Sequence, residues 1–306
     1  MSNATSSSNS PKPSGRAYLL LSATSFFWGA NTVFGKLAVG EVSPMALVSL
    51  RWFGALLLLV VFANRYIRND WKVLRQHLLF VSFMGALGFA SFNGLFYIAA
   101  YSTTALNIGI IQGSIPVFVL TGAFLVFRTT VTKLQIGGVV LTVLGVALVA
   151  SGGNLRHLSS LAFNIGDLLM IGACMLYSGY TLGLRNRPAV SSLGLFTVMA
   201  AAAFVTSLPM VGVEMQLGQF QWPTTTGWVV IALVTVFPSF LAQIFFIQGV
   251  ELIGPSRAGI FVNLVPVFAS ILAVAYLDEA FEVYHAMALG FVLGGIWLSE
   301  RGKAGG

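Results

Sequence analysis

The sequence predicts an all-α membrane protein of ten transmembrane helices, arranged as two inverted five-helix repeats with both termini in the cytoplasm. Three observations lead to this prediction. Hydrophobic residues make up 57% of the chain and charged residues only 8%, and the mean hydropathy is +0.88. The apolar residues form runs of about 20, the helix length that crosses about 30 Å of hydrocarbon. The runs of the first half also recur in the second half with a period of 150 residues.

Ten apolar runs follow one another along the chain with short connections. Residues 1–15, rich in Ser, Asn and Pro, precede them and are predicted to form a disordered cytoplasmic tail. The runs lack the strict alternation of apolar and polar residues that barrel strands show, so each is predicted to be a helix. The predicted spans are 17–38, 44–64, 78–100, 105–127, 134–152, 164–184, 192–213, 227–250, 257–277 and 283–299.

The internal repeat divides the chain into two related halves. Residues 16–153 are predicted to form the first five-helix repeat and residues 164–303 the second, and together they form one transmembrane domain. At the 150-residue offset, Pro116-Val117-Phe118 corresponds to Pro266-Val267-Phe268. Because five is an odd number, the second repeat must enter the membrane from the opposite face. Inverted repeats of this kind are typical of secondary transporters.

The distribution of Lys and Arg predicts the orientation. With a cytoplasmic N-terminus, thirteen of the 16 Lys and Arg residues fall on the cytoplasmic side, whereas only Lys36 and Arg156 fall on the opposite side. Cytoplasmic loops carry such an excess of basic residues. The net charge of +7 is therefore interpreted as an orientation signal, and no nucleic-acid partner is expected.

Polar residues inside the spans identify the helices that surround a cavity, because such residues are costly unless they face protein or water. The first, third, fourth, sixth, eighth and ninth spans carry them, whereas the other four are nearly pure hydrocarbon. We therefore expect six inner helices around a cavity and four outer helices that face lipid. The candidate substrate-binding residues are Trp28, Asn31, Asn93, Tyr97, Gln112, Tyr177, Tyr180, Gln243 and Asn263.

These candidates have an alternative interpretation. Asn93 and Gln243 occupy equivalent positions in the two repeats, which favours a shared role. Each amide could instead form a hydrogen bond between packed helices, worth about 0.6 kcal/mol. Aromatic residues near span ends can also belong to the membrane interface. Trp52, Trp222 and Trp228 fit that position better than Trp28.

Two basic residues near the non-cytoplasmic ends of spans need separate interpretation. Lys36 is predicted to extend its ammonium group to the membrane interface. The alternative is that this ammonium group lines the outer vestibule and attracts a carboxylate. Arg51 lies seven residues after Pro44 in the second span. It is interpreted as a structural residue that binds carbonyl groups or Glu41 near the outer surface.

The sequence indicates no catalytic site, metal site or cofactor. It contains no His-Glu-x-x-His or Gly-x-Ser-x-Gly motif and no Walker-type loop, and His77, His157 and His285 lack metal-ligand spacing. The protein is therefore predicted not to be an enzyme. No Asp or Glu lies deep in a span, although proton-coupled carriers commonly use one. Facilitated diffusion is the expected mechanism, and a proton relay through a group at a span end is the alternative.

Three prolines inside the spans are candidate hinges for alternating access. Pro116 and Pro266 are equivalent residues of the fourth and ninth spans, and Pro238 lies in the eighth. Proline removes a backbone hydrogen bond and kinks a helix. A static kink that serves packing is the alternative.

Several motifs resemble a known family. They are the run Phe27-Trp28-Gly29-Ala30-Asn31, Pro44 followed by Arg51, and the two Pro-Val-Phe segments, each followed by a Gly-rich closing helix. The chain after the tail is similar to the drug/metabolite transporter superfamily, specifically the EamA-type ten-helix carriers, and most like YddG-type bacterial exporters of aromatic amino acids. The resemblance implies a multi-pass protein of the bacterial inner membrane. Ser178 and Ala201 stand where the second half would repeat Trp28 and Arg51.

The expected substrate follows from the predicted cavity and agrees with the resemblance. A neutral site of amides and aromatic rings suits an aromatic or other bulky amino acid, exported by alternating access. A sugar-phosphate or nucleotide-sugar carrier, which would need several Lys or Arg as phosphate clamps, is the alternative within the superfamily. A channel-like or non-transporting membrane protein is the alternative outside it. The expected partners are a small-molecule substrate and the lipid bilayer, and the oligomeric state is left open, a monomer included.

Overall fold

Helices joined by short turns make up the computed structural model, which describes residues 15–154 and 164–303. Within these two ranges there is no strand, which confirms the all-α class for the described part of the chain. Residues 1–14 of the predicted tail lie outside the described residues. So does the segment 155–163, which contains Arg156 and His157.

The described residues of the first half form seven α-helices. A 3-10 turn (Arg75–His77) follows the second of them, and a π-helical turn (Ala86–Ser91) joins the third to the fourth. The helices are α1 (Gly15–Leu37), α2 (Pro44–Leu74), α3 (Leu78–Gly85), α4 (Phe92–Ala99), α5 (Ala105–Gln112), α6 (Ile115–Phe127) and α7 (Lys133–Ala150).

The described residues of the second half form seven further α-helices in the same order. A 3-10 turn (Leu184–Asn186) follows the first, and a second π-helical turn (Thr235–Leu241) lies at the position equivalent to the first π-helical turn. The helices are α8 (Ile165–Gly183), α9 (Ser192–Gln216), α10 (Thr225–Val234), α11 (Ala242–Ile253), α12 (Pro255–Val262), α13 (Val265–Leu277) and α14 (Val283–Lys303).

Eight helical stretches of the described chain are long and apolar enough to cross a membrane. One of them, Pro44–Ala99, is 56 residues long and folds back on itself, because Arg51 of α2 contacts Asn93 of α4. In a straight helix these two residues, 42 positions apart, would lie about 63 Å from each other. Helix α1 is not among the eight stretches. The count of ten spans and the cytoplasmic position of both termini therefore stay predictions.

Local sequence explains where several helices begin. Thr104 Oγ1 accepts a hydrogen bond from the backbone N–H of Asn107 at 3.0 Å and caps the start of α5. Thr132 and Gln135 form a reciprocal capping box at the start of α7. Pro44 opens α2, where its missing N–H costs nothing because the first turn has no partner for it.

Two of the predicted spans are interrupted in the middle. Gly113-Ser114 separates α5 from α6, and Asn263-Leu264 separates α12 from α13. Pro116 and Pro266 are the second residues of the helices that follow these breaks. Proline is tolerated there because the first turn of a helix leaves its N–H groups unpaired. Each of these two prolines therefore lies in the first turn of the second half-helix of its span, and their role as hinges stays a prediction.

Small residues allow close approach between helices of the two halves. A Cβ atom added to Gly145 of α7 would lie 2.8 Å from the carbonyl oxygen of Ala288 of α14. A Cβ atom added to Gly29 of α1 would lie 2.9 Å from the backbone nitrogen of Ala269 of α13. Membrane helices commonly pack through such residues. The closing helices α7 and α14 thus run along each other, and α1 runs along α13.

Candidate functional site

Two connected cavities lie between the helices. The smaller one, here called the inner cavity, has a volume of about 90 Å³, and Arg51 is the only charged side chain among the described residues that line it. Both halves of the chain contribute to its wall. The lining residues are Trp28, Asn31, Arg51, Trp52, Gly88, Phe89, Phe92, Asn93, Gln112, Gly113, Ile115, Pro116, Tyr177, Pro238, Gln243, Val262, Asn263 and Val265.

The larger one, here called the outer cavity, has a volume of about 480 Å³. It continues from the inner cavity, since Trp28, Tyr177 and Gln243 line both. Apolar side chains form most of its wall, and it extends to Arg187 and Glu251, which are exposed. The cavity is therefore accessible from this side of the protein, which we call the open end.

Arg51 lies in the wall of the inner cavity with 3% of its surface exposed. Its Nε donates a hydrogen bond to Ser239 Oγ at 2.9 Å, and its Nη1 donates to Asn93 Oδ1 at 2.7 Å and to the Tyr97 hydroxyl. The Tyr97 hydroxyl in turn donates to Asn31 Oδ1 at 3.0 Å. Side chains of α1, α4 and the second π-helical turn thus meet at one guanidinium group of α2.

The second π-helical turn explains the position of Ser239. Pro238 lies inside that turn and has no N–H to donate to the preceding residues. Ser239 Oγ instead donates to the carbonyl oxygen of Val234 at 2.6 Å. Its hydrogen is therefore used, and its lone pairs are available to accept from Arg51. The carbonyl oxygen of Pro238 accepts from Trp28 Nε1 at 3.2 Å, which fixes the indole at the cavity wall.

The positive charge of Arg51 has only neutral hydrogen-bond partners among the residues that the structure describes. Glu41, one of its expected partners, accepts a hydrogen bond from Thr224 instead. The interpretation that Arg51 binds carbonyl groups or Glu41 near the outer surface is therefore wrong. Seven residues of helix carry Arg51 about 10 Å inward from Pro44, which takes the guanidinium past the loops and into the cavity wall.

Aromatic rings cover the wall next to Arg51. The Trp52 ring stacks on Phe89 with a centroid distance of 4.7 Å and an interplanar angle of 6°, and Phe196 meets Trp52 edge-on. The Arg51 Cζ atom lies 5.3 Å from the Trp52 ring centroid, within the range of a cation–π interaction. Trp52 is 2% exposed. Its expected interfacial position is wrong, because this face of α2 is turned toward the cavity.

Most of the predicted binding residues border the two cavities. Tyr180 lines the outer cavity, and Tyr97 lies behind the wall, where its hydroxyl contacts Arg51. Their role in substrate binding stays a prediction. The candidates that line the inner cavity are Trp28, Asn31, Asn93, Gln112, Tyr177, Gln243 and Asn263.

Both helix breaks open into the inner cavity. Gln112 and Gly113 line it at the end of α5, and Val262 and Asn263 line it at the end of α12. The half-helices α6 and α13 start at the same place, so each break brings the end of one half-helix and the start of the next to the wall of the inner cavity. Interrupted helices at a binding site are a feature of secondary transporters. Gln112 Oε1 is buried without a partner among the described residues.

At the opposite end, here called the closed end, hydrogen bonds connect the two halves of the chain. Glu214 near the end of α9 accepts from Ser43 Oγ at 2.6 Å and from the backbone N–H of Met45 at 3.1 Å. Glu279, which follows α13, accepts at 2.8 Å from each of the first two backbone N–H groups of α5. These carboxylates hold the starts of α2 and α5, where negative charge is favourable.

Lys36 and Asp167 complete the closed end. Lys36 Nζ donates to the carbonyl oxygens of Ala100 at 2.8 Å and Thr103 at 2.9 Å, just after α4. Asp167 accepts from Thr103 Oγ1 at 2.5 Å and from Asn107 Nδ2 at 3.3 Å. Carbonyl groups just after the end of a helix thus hold the ammonium group of Lys36, and its extension to the membrane interface stays a prediction.

The expected division into six inner and four outer helices is also wrong in part. Arg51 and Trp52 of α2 line the inner cavity, and Leu195 and Phe196 of α9 line the outer one. Glu300 of α14 also borders the outer cavity. A span without polar residues can line a cavity, because a wall that accepts an apolar group needs few polar atoms.

Sequence reasoning did not propose Arg51, Trp52 or Phe89 for the cavity wall, where the structure places them, whereas the polar stripe of the eighth span did include Ser239. One signal was available, since Arg51 is a basic residue inside an apolar run and ionisable residues at such positions mark functional sites. The apolar pattern carried no such signal for Trp52 or Phe89. Among the described residues no group of three or more His, Cys, Asp or Glu side chains could hold a metal ion.

Comparison with known proteins agrees with this architecture. Relatives include the uncharacterized transporter YyaM of Bacillus subtilis, 26% identical over 291 residues that cover 91% of this chain and 92% of that protein. The uncharacterized inner membrane transporter YedA of Escherichia coli K12 is 23% identical, over 92% of this chain and 90% of its own. A solved crystal structure shares the fold, with a TM-score of 0.62 at 17% identity over 92% of this chain and 95% of that one.

The family match covers both halves. Residues 15–151 and residues 164–301 each match the EamA-like transporter family, which confirms that the chain contains two repeats. The bounds 16–153 and 164–303 and the inverted orientation of the repeats stay predictions. Transporters with this repeat are multi-pass integral membrane proteins, and a transport role agrees with a cavity that is accessible from the open end. The chain belongs to the EamA-like transporter family, within the drug/metabolite transporter superfamily.

Proposed function

We propose that this protein is a secondary transporter of the bacterial inner membrane that exports aromatic and other bulky amino acids by alternating access. One observation carries the proposal: a cavity with aromatic walls and one buried guanidinium group is accessible from the open end, while hydrogen bonds connect the two halves of the chain at the closed end. A carboxylate suits the guanidinium group, and an apolar side chain suits the aromatic wall.

The difference between the two ends supports alternating access. Carboxylates of the second half hold the starts of α2 and α5 at the closed end, so these bonds must break before substrate can leave there. If the predicted orientation is correct, the open end faces the cytoplasm, as an exporter that awaits its substrate requires. The helix breaks beside Pro116 and Pro266, together with Pro238 in the second π-helical turn, are the proposed hinges.

Facilitated diffusion is the proposed mechanism. The nine Asp and Glu residues of the chain are absent from the lining of the inner cavity, so no carboxylate there can exchange a proton for substrate. A sugar-phosphate or nucleotide-sugar carrier fits less well, because a doubly charged phosphate is usually held by more than one cationic group. A channel would need a path through the closed end.

The proposal is tested with purified protein in liposomes that are preloaded with unlabelled substrate and placed in labelled substrate outside. We expect saturable exchange of phenylalanine and leucine, weaker exchange of alanine, and no exchange of glucose 6-phosphate. An imposed pH difference should change the phenylalanine rate little. Ion conductance without saturable amino-acid exchange, or accumulation that a protonophore abolishes, would contradict the proposal. Liposomes without protein are the control.

A further inference from the structure

We propose that Arg51 is the anchor for a substrate carboxylate, and that the substrates of this carrier are carboxylates with an aromatic or bulky apolar body that need no amino group. The inference rests on the proposed transport function and narrows its substrate class. It makes aromatic monocarboxylates, and not only amino acids, substrates of the inner cavity. Four features of the site support it.

The first feature is the number of N–H groups that Arg51 has free. A guanidinium group carries five N–H donors. One on Nε and two on Nη1 are used by Ser239, Asn93 and Tyr97. The two on Nη2 have no acceptor among the described residues, although Arg51 borders the inner cavity. Two donors on one nitrogen are therefore available to an anion that enters the cavity.

The second feature is the charge of the inner cavity. Arg51 is buried, and its hydrogen-bond partners among the described residues are neutral, so its charge is not compensated within the described part of the site. A buried charge without a counter-ion is unfavourable, and a carboxylate would supply the counter-ion. An α-ammonium group would find no counter-ion in the inner cavity, because the acidic residues Glu251 and Glu300 border only the outer cavity.

The third feature is a further donor group on the same wall. Trp52 Nε1 is buried and has no hydrogen-bond partner among the described residues, and Trp52 lines the inner cavity together with Arg51. A buried indole N–H favours a hydrogen-bond acceptor. This donor thus acts in the same direction as Arg51.

The fourth feature is the size of the two cavities. The inner cavity, at about 90 Å³, suits a small head group, whereas the outer cavity, at about 480 Å³, can hold an apolar body. Trp28, Phe89 and Tyr177 line both cavities and stand where that body begins. A carboxylate on Arg51 would therefore leave the rest of an aromatic acid among aromatic rings.

The test measures how well three unlabelled compounds compete with labelled phenylalanine in proteoliposomes. They share a phenylethyl body and differ in charge. 3-Phenylpropionate has the carboxylate alone, phenylalanine has the carboxylate and the amine, and phenethylamine has the amine alone. We expect 3-phenylpropionate to compete at least as well as phenylalanine, and phenethylamine to compete about 30-fold less well. Equal competition by phenethylamine, or none by 3-phenylpropionate, would overturn the inference while phenylalanine exchange still supported the proposed function.

Variants of Arg51 give an independent measurement. Arg51→Gln should weaken the affinity for phenylalanine and for 3-phenylpropionate about 30-fold. Arg51→Lys should weaken both affinities less, because lysine keeps the positive charge but lacks the planar fork of the guanidinium group. Arg68→Gln, at an exposed position of the same helix, is the matched control and should behave as wild type. An unchanged affinity in Arg51→Gln would overturn the anchor.

Ligand-induced thermal stabilisation in detergent separates binding from transport. 3-Phenylpropionate should raise the unfolding temperature of the wild type and of Arg68→Gln, and should not raise that of Arg51→Gln. Stabilisation without exchange in liposomes would retain the anchor and contradict the transport proposal. Exchange of phenylalanine without any stabilisation by 3-phenylpropionate would support the transport proposal and contradict the assignment of Arg51 as the carboxylate anchor.

Discussion

Three neutral side chains determine how the guanidinium group of Arg51 is held. The group is planar with fixed donor directions, so Asn93, Tyr97 and Ser239 together determine its orientation. Tyr97 itself is held by Asn31. Loss of one acceptor leaves a buried N–H group unpaired, which costs stability. It also frees the guanidinium to turn, so stability and substrate affinity should change together.

Tyr97→Phe tests this dependence. Removal of the hydroxyl leaves one Nη1 donor of Arg51 without an acceptor at a buried position, and should lower the free energy of unfolding by about 1–3 kcal/mol. Tyr101→Phe is the control, because the Tyr101 hydroxyl makes a longer bond of 3.3 Å on a side chain that is 46% exposed. Denaturation of both variants in detergent measures the difference, and equal losses would contradict the proposed arrangement.

Trp28→Ala tests the aromatic wall. The Trp28 ring lies 5.4 Å from that of Phe246 and borders both cavities, so its loss removes surface that an apolar substrate body would contact. Exchange of phenylalanine should fall about tenfold more than exchange of alanine. Trp222→Ala, at a side chain that is 69% exposed, should affect neither. A similar loss for both amino acids would indicate a packing role for Trp28.

Helix ends were easier to predict than helix interruptions. The fourth span was predicted at 105–127, and α5 begins and α6 ends at those residues, because polar turn residues bound the apolar run. The break at Gly113-Ser114 was not predicted, since one polar residue does not interrupt an apolar pattern. Helix α2 continues to Leu74, ten residues past the predicted end, because polar residues form helix as readily as apolar ones once a helix has started.

Pro116→Ala and Pro266→Ala test whether the helix breaks are hinges. Alanine restores an N–H group and favours joining of the two half-helices, so domain movement should become slower. We expect the maximal exchange rate to fall about fivefold with little change in half-saturating concentration. Pro209→Ala is the matched control, since Pro209 lies inside α9 away from both cavities. Equal rates in all three variants would indicate static packing.

At the scale of the whole molecule, some residues of the inner cavity could be predicted from the sequence and others could not. The repeat and the helical spacing of amides were sufficient to propose Trp28, Asn93 and Gln243 as one group, and all three border the inner cavity. Arg51 could not be interpreted in this way. Its role depends on how deeply α2 enters the bundle and on Ser239, 188 residues away. Contacts between distant elements leave no local pattern in a single sequence.

Glu214→Gln tests whether the closed end is a gate. Gln offers one oxygen atom where the carboxylate accepts two hydrogen bonds, so opening at this end should become easier. A cysteine at Ala100, which is fully buried, in a Cys174→Ala background should react with a thiol reagent about tenfold faster in this variant. Asp278→Asn, an exposed carboxylate at the same end, is the control. An unchanged rate would show that Glu214 does not hold the gate.

The predicted orientation is tested by labelling in intact cells. In the same Cys174→Ala background, Gln219→Cys near the closed end should react with an impermeant reagent from outside. Arg75→Cys, in the turn after α2, should react only after the cells are made permeable. The excess of basic residues on one side is the physical basis of this expectation. The opposite result would place the open end outside the cell and reverse the proposed export.

The charged side chains of the closed end have no charged counterparts in the other repeat. At the 150-residue offset, Lys36 corresponds to Asn186, Asp167 to Ala17 and Glu214 to Asn64. In the proposed alternating access, the two halves would therefore exchange conformations at unequal free energy, and every 1.4 kcal/mol of difference changes the ratio of the two states about tenfold. Such a carrier rests facing one compartment and samples solutes there first. This bias determines how quickly transport begins in each direction after substrate is added. The final distribution of substrate across the membrane still follows the gradient alone.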